Sequence, residues 1–219
     1  FQVTVHLWGY QVAAYKFQGY QQPSLEVSVP MAELPQGNGN LDLQKSGEGT
    51  LHYFSAYRYR PQGNPPGRLQ GLRVTRTVRP ANESEVLYRL GLSPAPEELS
   101  LAAGQVFDIG LEIITDHPVN HVIITDPLPA GLEAVDTSFQ TSTPYFQPQQ
   151  DSWQIGYQRL GRDQILAYGD YLEAGVYTLH YLVRSVTPGS FLWPGSQVQL
   201  EHAPEEFGRS ATATLDVTE

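Results

Sequence analysis

Apolar side chains fall at every second position through most of this chain, and glycine or proline interrupts them at short intervals. In "FQVTVHLW" Phe1, Val3, Val5 and Leu7 share one face, while Gln2, Thr4 and His6 take the other. "SLEVSVP" repeats the pattern with Leu25, Val27 and Val29, "NLDLQKS" continues it with Leu41 and Leu43, and "TLHYFSAYRYR" adds a long tyrosine-dense segment. Period-two alternation of β-branched and aromatic residues describes a pleated surface with one buried face. Further strands are expected at "GLRVTRTV", "QVFDIGLEIIT", "NHVIIT", "LEAVD", "SWQIGYQRL", "DQILAYG", "GVYTLHYLVRSV", "GSFLWP", "SQVQLEH" and "ATATLDV". In the first of these Arg76 interrupts the apolar face set by Leu72, Val74 and Val78. Helical periodicity never exceeds about two turns, and "APEELSLAAG" reads as a single turn opened by Pro96 and closed by Gly104. The fold class is therefore all-β, built from antiparallel sandwiches with little or no helix.

The segment "RPQGNPPGRLQG", residues 60–71, holds three prolines and three glycines. Proline cannot donate to a ladder and glycine weakens one, so strands are expected to stop here. This divides the chain into residues 1–60, a linker at 61–70, and a second domain at 71–219 of about seven to nine strands in an Ig-like arrangement. The chain opens with Phe1 inside an apparent strand, as expected of a piece of a longer polypeptide whose preceding strands complete the first domain.

The corner "ITDPLPAGLEAVD", residues 124–136, is stiff. Pro127 removes a donor and biases Asp126 away from the helical region. Asp126 is suited to an Asx turn, Gly131 to a positive φ, and Leu128 and Leu132 to the core. These features predict a strand that stops at Thr125, an edge that resists pairing with another chain, and a structural purpose for the corner.

With 23 acidic and 13 basic residues, the formal net charge is -10. Six arginines between Arg58 and Arg79 run against that balance without an intervening acid, but they straddle the proline-rich break and match no nucleic-acid motif. They read as charged strand faces meeting acidic neighbours, and no nucleic-acid partner is expected. Cysteine is absent, which excludes a disulfide, a thiol nucleophile and a thioester within this segment. No apolar run reaches the length of a membrane span, so no direct membrane insertion by this segment is expected.

Catalytic patterns are weak. His117 and His121 are four apart, but Pro118 disfavours a helix that would align them; His6, His52, His180 and His202 lie on separate strands and read as surface or edge residues. Asp108, Glu112 and Asp116 occupy one face of a strand, read as its solvated side, with a two-carboxylate glycosidase site as the alternative. No nucleophile elbow, P-loop or dinucleotide fingerprint occurs. No catalytic residue, metal ligand or cofactor is expected. "NES" at Asn82–Ser84 matches a glycosylation acceptor. In "TSFQTSTPYFQPQQDSW", residues 137–153, Tyr145 and Phe146 between prolines suit contact with another domain, and a self-packed loop is the other reading.

"VIITDPLPAGLEAVD" and "GDYLEAGVYTLHYLVRSVTPGSFLWPGSQVQLEHAPEEFGRS" resemble the last macroglobulin-like domain of bacterial α2-macroglobulins. "LPQGNGNLDLQKSGEGTLHYFSAYRYRP" is similar to strands that complete the family's CUB-like β-sandwich after its thioester domain. The resemblance implies a macroglobulin-like fold for 71–219 and a CUB-like portion for 1–60. It further implies a non-enzymatic role in an envelope or periplasmic protease trap that cages a protease after bait cleavage. Implied partners are the thioester and macroglobulin-like domains of the same parent chain, and target proteases met through that parent. By the same resemblance, the stretch shielding the thioester domain falls at Leu200, Glu201, His202 and Pro204. Glu201 and His202 stand where the family's motif carries Met and Tyr, which leaves two alternatives: a parent without a thioester, or one protected by other residues. A surface-stalk or adhesin module is the alternative function, although no second copy of the corner occurs in tandem. A carbohydrate-active sandwich is a third.

Overall fold

The computed structural model describes residues 1–219 apart from 20–21, 59–62, 97–98 and 137–150. Its contacts separate two compact units, Phe1–Arg60 and Pro61–Glu219.

The first unit holds a three-stranded antiparallel sheet of β1 (Gln2–Leu7), β2 (Tyr10–Lys16) and β3 (Leu41–Ser46), with β1 in the middle. Trp8 and Gly9 join Leu7 to its register partner Tyr10, with φ of 52° and 80°. Positive φ at both central residues is what a type I′ hairpin demands, and its twist matches that of the strands. The alternating segments at 24–30 and 50–58 form no strand; Leu25, Val27, Tyr53 and Phe54 lie exposed. Alternation there meets no neighbouring strand among the described residues, and a strand without a ladder leaves its backbone groups unpaired.

Among the described residues the second unit has fourteen strands, thirteen of them within 71–219, more than the seven to nine expected there, because several are only three or four residues long. They are β4 (Arg68–Gln70), β5 (Leu72–Pro80), β6 (Tyr88–Leu90), β7 (Leu99–Ala102), β8 (Val106–Thr115), β9 (Val119–Pro127) and β10 (Leu132–Val135). Then follow β11 (Tyr157–Leu160), β12 (Gln164–Leu172), β13 (Gly175–Ser185), β14 (Gly189–Trp193), β15 (Gln197–Leu200), β16 (Phe207–Arg209) and β17 (Ala213–Thr218). One sheet runs β10-β13-β8-β5-β4-β16-β15-β9-β12-β11, with β6 on β5; a smaller one runs β14-β17-β7. Among the described residues these strands pair antiparallel except β17 with β7, and an isolated parallel bridge joins Gly71 to Phe207.

The proline-rich segment does not stay free of strands: its end is β4, which connects β5 to β16. Through β4 the long sheet passes from one layer of the sandwich to the other. Glycine permits this passage at Gly208, where an added Cβ would lie 2.5 Å from the Leu72 carbonyl oxygen. Within the helical turn predicted at 95–104, Glu97 and Glu98 lie outside the described residues, and Leu99–Ala102 form the strand β7. Leu99 and Leu101 alternate into the core, and pairing with β17 outweighs the local turn signals.

Alternate residues of β5, β8, β9 and β13 fill the interior as two hydrophobic clusters. Val78, Ile109, Tyr181, Trp193 and Leu215 belong to one; Val74, Ile113, Ile124 and Leu179 belong to the other. Arg76 and Asp126 sit between them, at the inward positions of β5 and β9 that neither cluster fills.

Candidate functional site

The arginine that breaks the apolar pattern is fully buried beside the aspartate of the corner. Arg76 forms a salt bridge with Asp126 through Nη2, and its Nε donates to Asp126 at 3.3 Å. Tyr181 Oη donates to the same carboxylate at 2.6 Å and Ser196 Oγ at 3.0 Å. Arg76 Nη2 also donates to the Pro194 carbonyl at 2.8 Å, and its guanidinium lies 4.5 Å from the Trp193 ring centroid. Trp193 Nε1 in turn donates to the Pro127 carbonyl at 3.0 Å. Burial first, and then the Asp126 charge, push the Tyr181 phenol well above its usual pKa, so it stays protonated as a donor.

These bonds explain the stiff corner, and they change its reading at three points. Asp126 is a buried anchor linking β5, β13 and the residue that leads into β15 rather than an Asx-turn residue. The strand β9 continues to Pro127 and lies between β15 and β12, so it is not an edge. Gly131 has no positive φ; a Cβ there would lie 2.6 Å from the Phe191 ring, so close packing requires the glycine.

The acidic strand face is also not simply solvated. Asp108 is buried and paired with Arg79 at 2.7 Å, its register partner across β5 and β8, whereas Glu112 is 3.9 Å from Arg89. Paired arginines thus account for part of the basic run.

Ser196 ties the anchor to the loop 201–206. Its backbone exchanges hydrogen bonds with Ser210, whose Oγ accepts from Ser196 N at 2.9 Å and whose N donates to the Ser196 carbonyl at 2.9 Å. From there β15 runs to Leu200, and the loop returns to β16. Leu200 N donates to the Glu206 carbonyl, Glu206 N to Ala203, and Glu201 N to His121. Leu200 is nearly buried, while Glu201, His202 and Pro204 are exposed.

The neighbouring end of β9 supplies the other wall. His121 has a φ of 52°, at a place where the β9–β12 register passes from Val122 directly to Asn120. Its ring meets that of His202 edge-on, with centroids 5.2 Å apart. His117 Nδ1 lies 2.6 Å from Asp116 Oδ1 and its Nε2 lies 2.5 Å from Glu206 Oε1. The hydrogen bond to Asp116, supported by the Glu206 charge, holds the imidazole above its ordinary pKa; the same bond lowers that of Asp116. His117, His121, His202 and Glu206 rim a shallow pocket of about 290 Å³ floored by Val119, Leu200 and Ala203.

Sequence spacing did not reveal this grouping. His117 and His121 line one pocket at a strand end rather than one face of a helix, and His202 arrives from 81 positions beyond His121 through β15 pairing. Among the described residues, no group of three or more His, Cys, Asp or Glu side chains is placed to hold a metal ion. Tyr145 and Phe146 lie outside the described residues. Among those described, no helix is long and apolar enough to cross a membrane.

Residues 71–205 match the family described as the bacterial alpha-2-macroglobulin MG10 domain. The chain belongs to the bacterial α2-macroglobulin family. An alpha-2-macroglobulin homolog of Nostoc sp. is 57% identical over all 219 residues, and the chain spans 12% of that protein's length. Among solved structures, Salmonella alpha-2-macroglobulin reacted with methylamine is 26% identical with a TM-score of 0.53. The likeness covers 73% of this chain and 10% of that one. Escherichia coli alpha-2-macroglobulin activated by porcine elastase shares the fold, with a TM-score of 0.57 at 23% identity, covering 73% of this chain and 14% of that one. The MG10 match stops inside the loop 201–206, yet this macroglobulin sandwich continues through β16 and β17, whose Leu215 and Val217 complete the core around Trp193.

Proposed function

We propose that this chain is a non-catalytic C-terminal module of a bacterial α2-macroglobulin-like protease trap. In this reading Leu200, Glu201, His202 and Pro204 pack against and shield a thioester domain elsewhere in the parent. The observation that carries it is the loop 201–206 itself. It is held at both ends by backbone bonds, backed by the buried Asp126 anchor through Ser196, and it presents an exposed Glu201–His202 pair. A contact surface whose geometry is fixed before contact loses little ordering entropy when a partner docks. Asp108 and Asp126 are both committed to arginines, in keeping with a scaffold rather than an acid–base site.

In the same reading residues 1–60 are a CUB-like portion, 61–70 a linker and 71–219 the macroglobulin-like domain. Tyr145 and Phe146 contribute an interdomain contact, and the parent acts in the bacterial envelope or periplasm on target proteases. The test is protease trapping by the full-length parent. Deleting residues 61–219 is expected to abolish inhibition, and Glu201→Ala with His202→Ala to weaken it. Undiminished inhibition after the deletion would overturn the proposal.

A further inference from the structure

The outer face of the layer β4-β16-β15-β9-β12-β11 carries a second surface, separate from the loop 201–206. Register pairing sets its rows. One row runs Tyr157, Tyr168, Ile123, Gln199, Phe207 and Gln70 across all six strands. The next runs Arg159, Leu166, Thr125, Gln197, Arg209 and Arg68. Alternation puts these side chains outward, because the intervening Val122, Ile124, Ala167 and Val198 are buried. Six strands at the usual spacing make a face about 24 Å wide.

Its chemistry differs from that of the chain around it. No acid occurs in either row, and three arginines do, on a molecule of formal charge -10. Asp170 lies one step beyond the tyrosine row, on the side away from the arginines and next to the irregular register of β12. Tyr157 and Tyr168 are 54% and 39% exposed, with ring centroids 5.6 Å apart, and Arg68 sits 5.7 Å over the Phe207 ring. Tyrosine and arginine spread over glutamine are characteristic of protein contact surfaces. They offer large, stiff contact areas and a planar fork that grips carboxylates.

We propose that this face is an intramolecular docking surface for an acidic, partly apolar face of another domain of the same parent polypeptide. The proposal rests on the chain being a module of a longer α2-macroglobulin, as the 12% share of its relative indicates. The modest width also favours a tethered occupant. A free partner needs a larger buried area to bind stably, whereas a linked domain is present at an effective concentration of about 1 mM. At that concentration a contact with a Kd of about 100 μM is roughly 90% closed.

The experiment is nitration of tyrosine by tetranitromethane, read by peptide mass spectrometry at Tyr157 and Tyr168. The 219-residue chain and the full-length parent are compared, with buried Tyr177 and Tyr181 as internal references. Labelling in the parent is expected to be about tenfold slower than in the chain, in line with closure of roughly 90%. High salt, or Arg68→Glu with Arg159→Glu at exposed positions, is expected to restore it. Equal labelling of the two proteins overturns the proposal, as does protection indifferent to salt and to charge reversal. Protection of the 219-residue chain that grows with its own concentration also overturns it, by assigning the face to a second copy. The readout does not involve protease inhibition, so it separates this proposal from the role of loop 201–206.

Discussion

Asp126 accepts from Arg76, Tyr181 and Ser196 where water does not reach, so each partner is costly to remove. With Asp126→Ala the guanidinium would remain buried and uncompensated, a loss of about 3–5 kcal/mol. Replacing both ends, as in Arg76→Met with Asp126→Leu, is expected to cost less than Asp126→Ala alone, because no charge is stranded. Denaturant unfolding of the 219-residue chain, followed by fluorescence of buried Trp193, measures both. A loss under about 1 kcal/mol for Asp126→Ala would show that water reaches the site. Gly208 makes a different demand. The alanine Cβ would lie 2.5 Å from the Leu72 carbonyl oxygen and 2.8 Å from its carbon, both backbone atoms that no rotamer can move aside. The strands must part, and Gly208→Ala should cost about 1–3 kcal/mol in the same assay.

At the level of elements, His117 joins the β8–β9 connection to the loop 201–206 by lying between Asp116 and Glu206. Its folded pKa is raised, so the stabilisation it gives is complete below the ordinary imidazole value and is lost as pH rises through the raised one. Amide exchange at Glu206 and its neighbours should quicken across that window beyond the intrinsic dependence of exchange on pH. Glu206→Gln should bring the imidazole titration, followed by NMR, back toward its ordinary position; an unmoved titration would mean the ion pair does not form in solution. Strands were legible wherever alternation coincided with a partner, as in β5, β8, β9 and β13. They were not legible where the deciding contact is distant. Nothing local makes Leu99–Ala102 a strand, since its partner is β17, more than a hundred residues on. The same distance hid the approach of His202 to His121. Arg76 was visible as a break in the pattern, but its counter-ion was not, because Asp126 had sufficient local reasons to occupy a turn.

Across the whole molecule the two units differ in how much apolar surface they bury. Among the described residues of Phe1–Arg60, Val3 is the one buried hydrophobic side chain, and the regular structure is three short strands and a single 3-10 turn at Met31–Glu33. A sheet of that size with so small a core is marginal by itself. The second unit buries two clusters and locks them together through Arg76 and Asp126. Hydrogen exchange of the 219-residue chain should therefore show weak protection in β1, β2 and β3, and the strongest in β5, β8 and β13, long strands that each pair with a neighbour on both sides. In urea the first unit should lose its protection before Trp193 reports unfolding of the second. Equal protection of β1 and β8, lost together at one denaturant concentration, would mean that the small unit draws stability from something other than its own core. The alternating segments at 24–30 and 50–58, which form no strand, would then be the first place to look for it, since their ladder groups and their apolar faces have the most to gain from a neighbour.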